Sequence, residues 1–111
     1  MFSKDAKELA HFLNDGSNKN KVSTTQFRKF YEEILKLNEK ASGLEEKEFT
    51  TTILPLVKIL ISKAHYANSR NVCKKEFVEF FESCIKKVNT QHELQNFQLY
   101  LESIIGFMPK K

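Results

Sequence analysis

The strongest constraint on the fold is the spacing of apolar residues around Phe81. They recur at offsets of 0, 3, 4, 7, 8 and 11 residues, which places them on one face of an α-helix: Phe77, Phe80, Phe81, Cys84, Ile85 and Val88. Similar spacing recurs from Phe27 to Leu37 and from Leu94 to Ile105. No segment alternates polar and apolar residues for long enough to indicate a β-strand. The pattern therefore predicts an all-α fold.

Capping residues place the predicted helices within this pattern. Three residues suit an N-cap, the last two within a capping box: Ser3, Ser23 and Thr90. Three glycines suit positions just after a helix end: Gly16, Gly43 and Gly106. Together these signals predict a single compact bundle of five or six helices. The predicted helices lie near 3–15, 23–41, 54–68, 74–89 and 91–105, with a further helical turn in 44–52.

The 111-residue chain has the length of one domain. We expect an ordered bundle over 3–105 and a frayed tail over 106–111. The helix over 54–68 has apolar residues around most of its circumference, and Pro55 suits its first turn. This distribution predicts that it is the central and most buried helix.

Composition and short motifs narrow the class of protein. The longest apolar stretch, from Ile53 to Ile61, is far shorter than the roughly 20 residues of a membrane span. The N-terminus becomes charged at once, unlike a signal peptide. Cys73 and Cys84 are spaced too widely for a metal or redox motif. We therefore expect a cytoplasmic protein with reduced thiols and no membrane contact.

Residue patterns typical of catalysis do not occur in the sequence. It has no glycine-rich phosphate loop, no metalloprotease helix motif and no nucleophile elbow. The three histidines are predicted to lie on three different helices: His11, His65 and His92. No pair of carboxylates falls on an apolar face where its pKa could be tuned for proton transfer. We therefore expect no enzymatic activity, no metal and no cofactor.

Basic residues remain as the candidate functional groups, in a chain whose net charge is +4. Only two of the eighteen basic residues are arginines: Arg28 and Arg70. Thr24, Thr25 and Arg28 lie at the start of the second predicted helix, where free N–H groups favour a phosphate. Alternatively, Arg28 forms an i,i+4 ion pair with Glu32 on a solvated surface, and Arg70 caps the preceding helix.

A second set of basic residues lies on the helix predicted over 54–68. Lys63, Tyr66 and Arg70 share one strip of this helix, and Lys58 begins another. Lysines on a largely apolar helix must reach water or an anion with their charged ends, so these strips are candidate sites. Tyr66, on the same strip, is the one aromatic residue placed to contact a sugar or base. A packed ring with an outward hydroxyl fits its position better.

Three segments of the sequence, taken together, match the pattern of a known family. The first segment, from Lys21 to Tyr31, contains Gln26-Phe27-Arg28-Lys29-Phe30. The second runs from Leu54-Pro55-Leu56 through Lys58, Lys63 and Tyr66 to Arg70, and the third from Phe77 to Val88 and on to Phe97, Tyr100 and Leu101. In order and spacing, over about residues 19–105, they resemble the small subunit of type III-A CRISPR effector (Csm) complexes.

This resemblance implies a helical bundle without catalytic activity. Several copies would stack as an inner filament beside the crRNA–target RNA duplex, together with the large subunit and the backbone subunits of the complex. The protein would contact the phosphate backbone, and guide pairing would supply sequence specificity. The implied RNA-binding residues of this chain are Arg28, Lys58, Lys63 and Arg70, followed by Lys29 and Lys21.

Two other functions remain open at the level of sequence. A helical adaptor would bind only protein, with its basic strips facing an acidic partner. A helix-turn-helix protein would use 24–37 as its DNA-recognition helix. That motif joins its helices by a turn of three or four residues, whereas about seven residues separate Asp15 from Ser23 here. The spacing therefore disfavours the second alternative.

Overall fold

The computed structural model describes residues 5–17 and 20–109, which form a bundle of helices. The helices are α1 (Ala6–Leu13), α2 (Thr24–Ala41), α3 (Glu46–Glu48), α4 (Leu54–Ser69), α5 (Lys75–Lys86) and α6 (Gln91–Phe107). A π-helical turn, Phe49–Ile53, joins α3 directly to α4. Between 5 and 109, the described residues contain one isolated antiparallel bridge, Val22 to Cys73, and no strand. The predicted all-α fold is confirmed.

Capping hydrogen bonds begin α2 and α6 where the sequence predicts. The Ser23 hydroxyl accepts a hydrogen bond from the N–H of Gln26 at 3.0 Å. At Thr90 both halves of the capping box form, because its hydroxyl accepts from the N–H of Glu93 and its own N–H donates to the Glu93 carboxylate. Gly43, just beyond α2, has a φ of +84°, the left-handed conformation that commonly follows a helix end.

The beginning of α1 differs from the prediction. The helix begins at Ala6, and the Asp5 carboxylate accepts a hydrogen bond from the N–H of Lys7 at 2.9 Å. A side-chain acceptor at this position satisfies one of the N–H groups that a first helical turn leaves unpaired. The predicted cap, Ser3, lies outside the described residues.

The end of α6 also differs from the prediction. Gly106 does not end the helix, which continues to Phe107. Met108 is buried, and the carbonyl of Pro109 accepts a hydrogen bond from the Thr24 hydroxyl at 2.8 Å. Burial of the Met108 side chain and this hydrogen bond hold 106–109 against the bundle, where the sequence predicts a frayed tail.

Helix α4 is not the central, most buried helix that the sequence predicts. Its buried residues lie on one face: Val57, Leu60, Ala64 and Ala67. Leu56 and Ile59 are 39% and 51% exposed. The reason is that α4 packs mainly against α5 and makes only a narrow contact with α2. Its outer apolar residues therefore face solvent.

The core is centred instead on two aromatic rings of α5. Phe77 and Phe81 stack with their ring centroids 5.5 Å apart. Phe30 of α2 lies 5.2 Å from the first ring and 4.9 Å from the second. Phe97 of α6 lies 5.8 Å from Phe81. All four side chains are buried, so this aromatic cluster joins α2, α5 and α6.

Replacing Phe81 should destabilise the fold because its ring contacts partners on two other helices. We expect Phe81→Ala to lower the free energy of unfolding by about 3–5 kcal/mol, the usual cost of a large cavity in a core. Urea denaturation measures this loss. The matched control is Phe107→Ala, which removes a largely exposed ring and should cost less than about 1 kcal/mol. Equal losses in the two variants would contradict the central position of the aromatic cluster.

Candidate functional site

An open groove of about 450 Å³ lies between α2 and α4. Each helix lines it with residues at offsets of 0, 3, 4 and 7, the spacing of one helix face. The lining residues are Gln26, Lys29, Phe30 and Glu33 on α2, Lys63, Tyr66, Ala67 and Arg70 along α4 and at its end, and Val72 beyond it. We call this site the basic groove.

The basic groove combines an apolar floor with positively charged walls. Phe30 and Ala67 are buried and form the floor. Lys63 Nζ lies 3.5 Å from Glu33 Oε1, an exposed ion pair of the kind that contributes little to stability. The side chains around the groove carry three cations and one carboxylate, so the groove has a net positive charge.

Tyr66 and Arg70 form a pair at the surface of this groove. The Arg70 guanidinium lies over the tyrosine ring, 5.6 Å from its centroid, and Nη1 donates to the Tyr66 hydroxyl at 3.1 Å. Tyr66 is 62% exposed, so its ring is not packed in the way that the sequence favours. Arg70 is the C-cap residue of α4, but its guanidinium points to this ring and not to the last carbonyls of the helix.

Three of the six predicted RNA-binding residues lie outside the basic groove, and two of them, Arg28 and Lys21, lie near the start of α2. Arg28 is exposed on the neighbouring face of α2, and the predicted ion pair with Glu32 does not form; Arg28 has no hydrogen bond or ion pair with any residue that the structure describes. Lys21 lies in the loop before α2, with its Nζ 5.1 Å from the centroid of the Phe12 ring on α1. The structure therefore brings Lys29, Lys63 and Arg70 together and leaves these two apart.

The side chain of Lys58 points toward α5 and away from the basic groove. Its Nζ donates to the carbonyls of Ile85 and Val88, both at 2.8 Å. Burial lowers the pKa of the Lys58 ammonium, and the nearby Glu93 carboxylate opposes that shift. Lys58 thus donates to a carbonyl in the last turn of α5, which also accepts from the N–H of Val88, and to the carbonyl of Val88 just beyond the helix. This geometry favours a capping role over the predicted phosphate contact.

At the start of α2, where the sequence predicts a phosphate site, the Thr24 hydroxyl already has hydrogen-bond partners within the chain. The Thr24 hydroxyl donates to the carbonyl of Pro109 and accepts from Asn14 Nδ2 at 3.3 Å. Asn14 also donates to the carbonyl of Val22 at 3.0 Å. Thr24 and Asn14 are both buried. These hydrogen bonds therefore join the loop between α1 and α2 to the backbone at Pro109.

A cluster of ionisable side chains joins α4 to α5 on the side away from the basic groove. His65 Nε2 lies 2.8 Å from Glu82 Oε1, and Lys86 Nζ lies 3.1 Å from Glu82 Oε2. Hydrogen bonds from His65 and then Lys86 lower the pKa of the Glu82 carboxyl. His65 therefore takes part in a contact between helices.

A second groove, of about 530 Å³, lies between α1, α5 and α6. We call it the acidic groove because Glu8, Glu76 and Glu79 line it with a single cation, Lys87. Its other lining residues are Leu9, Phe12, Phe80, Ser83, Cys84 and Tyr100. Burial raises the pKa of both the Cys84 thiol and the Tyr100 hydroxyl to about 12, so both are neutral at physiological pH.

Sequence reasoning missed two polar residues of the basic groove, Gln26 and Glu33. They are seven residues apart along α2, the same interval that separates Lys63 from Arg70 on α4. Matching these two intervals could have indicated that the two helix faces line one groove. The sequence offers no signal for the pairing itself, because which helices are neighbours depends on how the whole bundle packs.

Lys58 and Lys63 of α4 allow a test of whether Lys58 stabilises the end of α5 or is only a surface charge. We expect Lys58→Met to lower the free energy of unfolding by about 1–2 kcal/mol, because it removes the side-chain donor from the carbonyl of Val88 and one of the donors from the carbonyl of Ile85. The matched control, Lys63→Met, removes an exposed ion pair and should change that free energy by less than about 0.5 kcal/mol. Urea denaturation of both variants measures the difference. A loss no larger for Lys58→Met than for Lys63→Met would contradict the capping role.

Within residues 5–17 and 20–109, no helix is long and apolar enough to cross a membrane. The same residues hold no group of three or more His, Cys, Asp or Glu side chains arranged to bind a metal ion.

Comparison with curated proteins and with solved structures gives no significant match. The family model described as Csm2 Type III-A matches residues 2–108. The chain therefore belongs to the Csm2 family, the small subunit of the type III-A CRISPR effector (Csm) complex.

Proposed function

We propose that this subunit holds RNA in the Csm complex through the basic groove. The phosphates of the crRNA–target RNA duplex lie against Lys29, Lys63 and Arg70. The observation that carries this proposal is that three cations from two helices line one open groove with a single carboxylate. Phosphate contacts of this kind position a protein on RNA without reading its sequence.

Arg28 is proposed as an additional phosphate contact beside the basic groove. It lies one residue before Lys29, about 100° around α2, and is exposed. No described residue neutralises its guanidinium by an ion pair, so it is available to a phosphate. Lys21 and Lys58 contribute less to this proposal, because the first lies over the Phe12 ring and the second caps α5.

Several copies of the subunit stack along the duplex, and each adds a few phosphate contacts to the same path. Multivalent binding of this kind gives high affinity from weak individual contacts, so a net charge of +4 per copy is sufficient. Leu56 and Ile59, exposed on the same helix as Lys63, are available for contacts with neighbouring proteins. The subunit acts without catalysis in a cytoplasmic complex that also contains the large and backbone subunits.

The alternative functions differ in what they require of the structure. A helix-turn-helix reader needs a tight turn, but residues 14–23 separate α1 from α2. A protein-only adaptor requires that the basic groove face an acidic protein surface. RNA binding by the assembled complex would then not depend on Lys63 or Arg70.

Charge reversal in the basic groove should weaken RNA binding by the assembled complex. We expect the double variant Lys63→Glu/Arg70→Glu to reduce affinity for target RNA at least tenfold at moderate salt. It should also make the slope of log affinity against log salt shallower, by about 1 for each phosphate that a copy no longer neutralises. Filter binding over a series of salt concentrations measures both quantities.

The matched control is Lys7→Glu/Lys47→Glu, which changes the net charge by the same amount at exposed positions that line neither groove. It should leave the salt slope within error of the wild-type complex. Circular dichroism and co-purification with the other subunits check that each variant folds and assembles. Equal loss in both variants would show a general charge effect, and unchanged RNA binding in both would support the protein-only adaptor.

A further inference from the structure

We propose that Tyr66 and Arg70 form a stacking site for an unpaired nucleobase of RNA, so that the basic groove binds a base as well as phosphates. This inference rests on the proposed function, because it assigns the kind of nucleotide that the same groove binds. It depends on the exposure of Tyr66, on the position of the Arg70 guanidinium and on the apolar floor of the groove.

Tyr66 differs from the other two tyrosines of the chain in its surroundings. The hydroxyl of Tyr31 donates to Glu102 Oε1 at 3.0 Å, and that contact joins α2 to α6. Tyr100 is partly buried, and its ring lies 6.3 Å from that of Phe80. Tyr66 instead exposes 62% of its surface at the edge of a positively charged groove. A large aromatic side chain in such a position is typical of binding sites and not of a core.

The contact with Arg70 orients the ring for stacking. The guanidinium occupies one face of the ring, and its Nη1 also donates to the hydroxyl. A ring held in this way loses less conformational freedom when a second planar group stacks on it. The guanidinium keeps further N–H donors, which can bind the phosphate attached to the stacked nucleotide.

The basic groove has room and suitable chemistry for one nucleotide. Its volume of about 450 Å³ falls within the range of roughly 300–1,000 Å³ that is usual for small-molecule sites. Phe30, Ala67 and Val72 give it an apolar surface, while Lys29 and Lys63 offer cations for the adjoining phosphates. An aromatic platform beside cations is how proteins bind single strands without reading sequence.

Stacking on Tyr66 requires a base that is free of its own stack. In a continuous duplex the flat faces of the bases are covered by their neighbours, so a protein ring reaches only bases in single strands, bulges or ends. The basic groove should therefore prefer RNA that contains unpaired nucleotides. Phosphate contacts alone would give no such preference.

The absence of tryptophan from the chain provides a specific probe of this contact. In the Tyr66→Trp variant, the fluorescence of the single indole reports a base stacked at this position. The matched reporter is Leu99→Trp, at an exposed position on α6 outside both grooves. Each full-length variant is titrated at low salt with three probes: single-stranded oligouridylate, an abasic ribose-phosphate oligomer of the same length, and duplex RNA.

We expect oligouridylate to quench the fluorescence of Tyr66→Trp and not that of Leu99→Trp. The abasic oligomer should compete for binding but should cause no quenching, because it carries phosphates without bases. Tyr66→Leu should bind oligouridylate about tenfold more weakly than wild type, whereas Tyr66→Phe should stay within about threefold of it. Tyr66→Leu should lose more affinity for oligouridylate than for the abasic oligomer, because only oligouridylate places a base on the ring.

Two outcomes would overturn the inference in distinguishable ways. If oligouridylate and the abasic oligomer bind equally well, without quenching at position 66, the basic groove holds phosphates only, and the proposed function stands without the stacking site. If the double variant Lys63→Glu/Arg70→Glu binds all three probes as tightly as wild type, the basic groove is not the RNA site, and the proposed function fails together with the stacking site.

Discussion

The contact of Phe30 with the rings of Phe77 and Phe81 is the interaction on which the rest of the structure depends. These rings bring α2 against α5, and Phe97 adds α6 on the other side. Because α4 packs mainly on α5, the position of α4 relative to α2 follows from the same contacts. Phe30 also forms part of the floor of the basic groove. The hydrophobic core therefore determines the shape of the candidate RNA site directly.

The two sides of α4 have opposite roles because its polar residues are divided between them. On one side, Lys58 donates to the end of α5 and His65 contacts Glu82, so this side is bound to its neighbour. On the other side, Lys63 and Tyr66 remain exposed. Helix α4 cannot turn about its axis without breaking both hydrogen bonds that Lys58 donates. They therefore keep the exposed basic and aromatic residues directed toward α2.

Sequence periodicity predicted the helices well because apolar residues at helical spacing must be buried on one side. It failed for the burial of α4, since hydropathy does not distinguish an apolar face that packs in the core from one, such as that of Leu56 and Ile59, that stays exposed. For the site, the family resemblance, together with the basic strips on α2 and α4, suggested Lys29, Lys63 and Arg70. The different orientation of Lys58 could not be predicted, because its partners are backbone carbonyls 27 and 30 residues away.

The net charge of +4 is unevenly distributed, because two grooves of the subunit carry charge of opposite sign. The basic groove has three cations and one carboxylate, whereas the acidic groove has three carboxylates and one cation. A polyanion is attracted to the first and repelled from the second, so under the proposed function the subunit would present its α2–α4 side to RNA. The Cys84 thiol and the Tyr100 hydroxyl are neutral and add no charge to the acidic groove. A chain of weak overall charge can thus orient itself on a nucleic acid, because orientation depends on the separation of charges and not on their sum.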